Sequence, residues 1–112
     1  MKILFILLIL FLPAWATAQS THSVTLNWQD PLNPAGTTYS VYRSPGLCSG
    51  TPVYAKIASA VTSKTYLDDT VTPGNYCFVV TATSNGMESA NSNSVAASVP
   101  TFAPSALSIT VQ

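Results

Sequence analysis

The sequence predicts an all-β domain, a sandwich or barrel of short strands, and three observations lead there. No segment keeps a convincing helical period. Runs rich in Val, Thr and Tyr alternate apolar with polar residues, which is the pattern of strands with one buried face. Clusters of Pro, Gly and Asn punctuate those runs where a chain must turn.

The elements follow in order. Ser23 to Trp28 places Val24, Leu26 and Trp28 on one face and Ser23, Thr25 and Asn27 on the other. Asp30 to Gly36 contains two prolines, an Asn and a Gly and reads as a turn. Thr38 to Arg43 is the next strand, with Tyr39, Val41 and Arg43 sharing a face. Ser44 to Pro52 is a loop, Val53 to Ala58 a short strand, and Lys64 to Asp68 another. Thr72-Pro73-Gly74-Asn75 carries Pro and Gly where a β-turn wants them. Asn75 to Thr83 is the strongest strand, with Tyr76, Phe78, Val80 and Ala82 opposite Cys77, Val79 and Thr81. Asn85-Gly86 signals a hairpin, and Ser92 to Val99 forms the strand that ends at Pro100.

The N-terminus has the order of an export signal. Lys2 is the positive start, Ile3 to Leu12 is apolar, and Ala16-Thr17-Ala18 offers small residues for cleavage before Gln19. The apolar run is about half of the roughly 20 residues that span a bilayer, so a signal peptide over residues 1–18 is expected, not an anchor. No other stretch could span a membrane, and no Cys follows the small residues to take a lipid. The remaining chain holds Arg43, Lys56 and Lys64 against Asp30, Asp68, Asp69 and Glu88, leaving it close to neutral. Without a basic face, nucleic acid is a poor partner. The expected location is secreted, periplasmic or cell surface. In such an oxidising compartment an even pair, Cys48 and Cys77, favours a disulfide over a redox motif or a zinc site.

Taken in succession, Val24-Thr-Leu-Asn-Trp28, Tyr39-Ser-Val-Tyr-Arg43 and Gly74-Asn-Tyr-Cys-Phe-Val-Val-Thr-Ala82 resemble strands B, C and F of a fibronectin type III domain. Asn85-Gly-Met-Glu-Ser89 and Asn91-Ser-Asn93 resemble its F–G hairpin and the start of strand G. The resemblance covers nearly all of Val24 to Pro100, within a domain expected over residues 19–100. It implies an immunoglobulin-like antiparallel β-sandwich with Greek-key connections. The expected core is Val24, Leu26, Trp28, Tyr39, Val41, Tyr76, Phe78 and Val80. Tyr76 falls where this architecture places a tyrosine that bonds back across a corner. In the family layout the end of strand C lies near the start of strand F, so Cys48 and Cys77 are expected to bridge across the outer sheet.

The family begins with a strand A, for which Gln19 to His22 leaves no sequence. Beyond strand G, residues 101–112 run through a Pro-containing linker into Leu107, Ile109 and Val111, alternating with Ser108 and Thr110, and this resembles a strand A. The expectation is that this segment completes the sheet of another copy, giving a head-to-tail polymer or oligomer. Folding back on its own domain, a flexible tail, and a chain cut from a tandem array are the competing readings.

No catalytic set, cofactor or metal site is expected. His22, the single histidine of the domain, is expected exposed and has no orienting acid or nucleophile placed with it. Asp68 and Asp69 are adjacent, so on a strand they point to opposite faces; Asp68 is expected to satisfy backbone N–H groups after its strand. Tyr42 and Tyr54 on the outer sheet are candidate contacts for a surface glycan or protein ligand. The functional expectation is an exported structural or adhesive module that assembles head-to-tail with its own copies, with a carbohydrate- or protein-binding accessory module at the cell surface as the alternative.

Overall fold

The computed structural model describes residues 21–112, so the expected signal peptide and its cleavage point lie outside the described residues. Seven strands form: β1 (Val24–Asn27), β2 (Thr38–Pro45), β3 (Ala55–Val61), β4 (Thr65–Asp68), β5 (Gly74–Ser84), β6 (Met87–Glu88) and β7 (Val95–Val99). β1 and β4 make a small sheet; the larger sheet has the order β3-β2-β5-β6, and β7 also pairs with β5. Every pairing is antiparallel. The chain crosses from the small sheet to the large one between β1 and β2, returns after β3, and crosses again after β4.

Local chemistry sets the element ends. After β1, Trp28 N–H donates to the Lys64 carbonyl (3.1 Å), and the Pro-rich turn closes on Thr37 N–H to Pro34 O (3.3 Å). Asn85 and Gly86 both take positive φ (52° and 75°), the backbone that a two-residue hairpin between β5 and β6 requires. β3 starts later and runs further than the sequence suggests. The Val53 N–H goes to Ser44 Oγ (3.0 Å) instead of a ladder partner, which delays the strand. Its far end bulges: Tyr39 pairs with Val61 and Val41 with Ala58, and Ala60 absorbs the extra residue at φ 53°.

Between the sheets lies a core of Leu26, Val41, Val71, Phe78 and Val99. Of the expected core residues, Leu26, Tyr39, Val41 and Phe78 are buried, while Val24, Trp28, Tyr76 and Val80 are half-buried against the same cluster. Val71 and Val99 belong to it although the sequence reading passed over them. β5 is buried on both faces, because Cys77 and Val79 on its outer side are as covered as Phe78 on its inner side. At Cys77 the cover is the bridge to Cys48, with Cα atoms 5.1 Å apart, and the Tyr54 hydroxyl at 3.2 Å from its sulfur.

One buried ion pair joins the two sheets. Asp68 on β4 accepts from Arg43 Nη1 on β2 at 2.8 Å and is 2% exposed. Its other oxygen accepts from Thr70 Oγ1 (2.6 Å) and Thr70 N–H (3.1 Å), so the carboxylate is well partnered. Arg43 also donates to Thr70 Oγ1 (3.0 Å) and lies over the Tyr76 ring, 5.2 Å from its centroid. Tyr76 in turn forms the expected corner: its hydroxyl donates to the Thr72 carbonyl (2.9 Å) and accepts from Thr72 N–H (3.1 Å).

Two predictions follow from these ties. Burial pushes the Asp68 carboxyl up, but the Thr70 hydroxyl and the Arg43 guanidinium outweigh it and hold the group below its usual value. A lowered folded value makes the carboxylate stabilising above the unfolded value, about pH 3.9, and that contribution fades as pH falls through the folded one. Chemical denaturation should therefore show a stability drop below about pH 4 that Asp68→Asn reduces. At neutral pH Arg43→Ala, which strands a buried charge, should cost about 3–5 kcal/mol. Separately, reducing the Cys48–Cys77 bridge, which spans a sequence separation of 29, should lower unfolding free energy by roughly 3–4 kcal/mol in the same assay.

Candidate interaction edge

β1 has one ladder partner, β4, and among the described residues no strand lies along its other edge. Beside that edge the two sheets leave a groove of about 310 Å³. It is lined by Leu26 to Gln29 at and after β1, by Phe78 to Val80 of β5, and by Ser92, Asn93 and Val95 at the approach to β7. The alternation that buries Leu26 also turns Trp28 inward, where its ring meets Tyr39 edge-on at 5.3 Å. Trp28 Nε1 is nevertheless buried with no hydrogen-bond partner among the described residues. Such an orphaned donor is costly, on the order of 1–3 kcal/mol, until an acceptor arrives. Val95, at the far wall, is half exposed although it is apolar.

The lining carries no charge. The nearest carboxylate, Asp30, is turned to its own loop, accepting from Asn33 Nδ2 (2.9 Å) and from the Tyr39 hydroxyl (2.8 Å). Those bonds, Asn33 first and Tyr39 second, hold Asp30 below the ordinary carboxylate range. The groove is thus an uncharged trough of mixed apolar and amide or hydroxyl lining, with unpaired main chain of β1 along one rim among the described residues.

The C-terminal segment supplies the complementary features. Residues 100–112 form no strand within the single chain, and Leu107, Ile109 and Val111 are 97%, 87% and 84% exposed. Ala106 takes a positive φ of 56°, a bend immediately before Leu107. In the single chain the segment stands clear of the groove of its own domain. Its start is held: the Phe102 ring stacks on His22, with centroids 4.1 Å apart and planes 10° from parallel. This corrects the expectation of an exposed His22, which is half-buried with Nε2 unpartnered among the described residues. Only the tertiary meeting of both chain ends reveals that contact, and nothing near His22 in sequence signals it.

The other candidate residues are placed differently. Tyr42 and Tyr54 are half-buried, not open. Tyr42 donates to Glu88 Oε1 and has Lys56 Nζ over its ring at 5.6 Å, while the Tyr54 hydroxyl rests on Cys77 Sγ. Glu88 also accepts from Thr81 Oγ1 (2.6 Å), and these two hydroxyls, Thr81 first, keep its carboxyl low. The outer-sheet hydroxyls are therefore engaged internally. Asp69 is exposed and apart from Asp68. Among the described residues no three His, Cys, Asp or Glu side chains gather as metal ligands, and no helix is long and apolar enough to cross a membrane.

Comparison with known proteins gives a consistent picture. An Fn3-like protein from Clostridium thermocellum is 36% identical, with a TM-score of 0.57, the match covering 73% of this chain and 81% of that one. A human FNIII domain, described as the fourth of its protein, is 27% identical with a TM-score of 0.59, covering 77% and 73%. No protein-family model and no curated protein matches the chain.

Because the apolar tail residues touch so little of their own domain, removing residues 107–112 should change the unfolding free energy of dilute protein by less than about 0.5 kcal/mol. Urea denaturation of the two chains at low concentration checks this; a larger loss would mean that the tail packs in cis.

Proposed function

The chain belongs to the fibronectin type III family, and from that footing we propose that it is a non-enzymatic, exported structural or adhesive module that assembles with its own copies. The C-terminal segment of one copy is donated to the open edge of β1 in another. A single observation carries the reading: three alternating apolar side chains stand in solvent on the same molecule that, among the described residues, leaves a strand edge and an uncharged groove uncovered.

The chemistry is complementary at each level. Alternation on Leu107, Ile109 and Val111 suits a strand with one face in a groove, while Ser108 and Thr110 would face out. The donated main chain would satisfy the rim of β1 and offer carbonyls within reach of the kind Trp28 Nε1 lacks. Burying the three apolar residues contributes about 4–9 kcal/mol gross. Association and ordering cost an estimated 4–15 kcal/mol, so the net is modest and the ladder hydrogen bonds decide it. Assembly on these terms depends on concentration. A disulfide in a small domain suits the oxidising surroundings of an exported protein.

Size exclusion with light scattering on the secreted chain should show species above monomer that grow with concentration. Ile109→Lys, which puts a charge on the central anchor, should return the protein to monomer without altering its fold. Identical monomers for both chains across the concentration range would overturn the proposal.

A further inference from the structure

We infer that the donated segment runs antiparallel to β1 of the receiving copy, entering at its Trp28 end, so that copies add in one orientation into an open filament and not into a closed, tail-exchanged dimer. The inference rests on the strand-donation reading above and adds its direction.

The placement of the chain ends carries the argument. His22 lies two residues before the first residue of β1, Phe102 follows β7, and their rings are stacked. The start of β1 and the end of β7 therefore share one pole of the sandwich. At the opposite pole, Trp28 and Gln29 share the groove with Ser92 and Asn93, which lie before β7. β1 and β7 thus run in opposite directions along the two walls, and the tail emerges beside the beginning of β1.

From there its own groove is open to it in one sense only. From Phe102, held by His22, to Leu107 the chain takes five residue steps, which stretch at most about 16–18 Å. From His22, where Phe102 is held, to Trp28 are six steps, about 20 Å of extended chain. The tail cannot reach the Trp28 end of its own domain and turn back, so within one molecule it could pair with β1 only in parallel. All the ladders of this fold are antiparallel, and antiparallel pairing is the more stable per residue. A second copy offers that arrangement without any reversal of the linker, provided that its Trp28 pole faces the pole from which the tail leaves.

Direction dictates the form of the assembly. With antiparallel insertion, the tail pole of one copy meets the Trp28 pole of the next; the contact is heterologous and need not close. With parallel insertion, two copies would bring their tail poles together and exchange segments reciprocally, a closed two-fold dimer.

Paired cysteines in the otherwise intact secreted chain read the direction. Thr25 and Asn27 are exposed positions on the outward face of β1, as Ser108 and Thr110 would be on the donated strand. On mild oxidation, Asn27→Cys with Ser108→Cys and Thr25→Cys with Thr110→Cys should both give ladders of covalent multimers on non-reducing gels. Efficient crosslinking by Thr25→Cys with Ser108→Cys and by Asn27→Cys with Thr110→Cys, stopping at dimer, would overturn the direction while leaving strand donation intact. Crosslinks confined to monomers, or none between chains in any of the four variants, would remove donation and the direction together.

Discussion

Everything in this fold is hung on β5. It pairs with three strands, β2 along one edge and β7 and β6 along the other. Three consecutive residues near its start do three separate jobs. Tyr76 ties the incoming turn through Thr72, Cys77 anchors the long loop after β2, and Phe78 fills the space between the sheets. From Cys77 to Val79 both of its faces are buried, the outer one at Cys77 by the bridge to Cys48. Where the strand is covered, a polar side chain needs a partner, and Thr81, which is buried, gives its hydroxyl to Glu88.

The small sheet is held in a different way. Two strands of four residues each are marginal alone and must be fastened to something larger. Leu26 does this by packing and Asp68 by charge, its carboxylate reaching Arg43 across the interior. A buried ion pair is seldom worth more than an apolar pair of the same volume, yet it fixes which strand lies opposite which. Here it sets β4 over the end of β2, which in turn fixes where β1 exposes its remaining edge. The groove beside β1 is thus a consequence of how narrowly the second sheet is built.

Much of this was legible in the residues. The alternation around Leu26, Val41 and Phe78 marked the inner faces, Asn85-Gly86 marked a hairpin, and Tyr76 marked the corner, because each is a local pattern with a local cause. What escaped was non-local. Val71 and Val99 sit at the ends of their segments, where periodicity has too few residues to speak. The start of β3 shifted because Ser44, nine residues upstream, took the Val53 N–H. The apolar alternation at the C-terminus was visible as a strand without a partner, but the shared pole of His22 and Phe102 was not, since it depends on where the sandwich brings distant ends.

The absence of charge along the groove has a further effect. Glu88 is the last ionisable side chain in the sequence, so nothing from Ser89 to Val111, and nothing along the groove, carries a charge. Screening by dissolved ions acts on charges, and the contact proposed between copies would offer it none among the described residues. A joint of this composition should hold as well in brackish as in fresh surroundings. Salts that strengthen the exclusion of apolar surface from water would tighten it rather than loosen it.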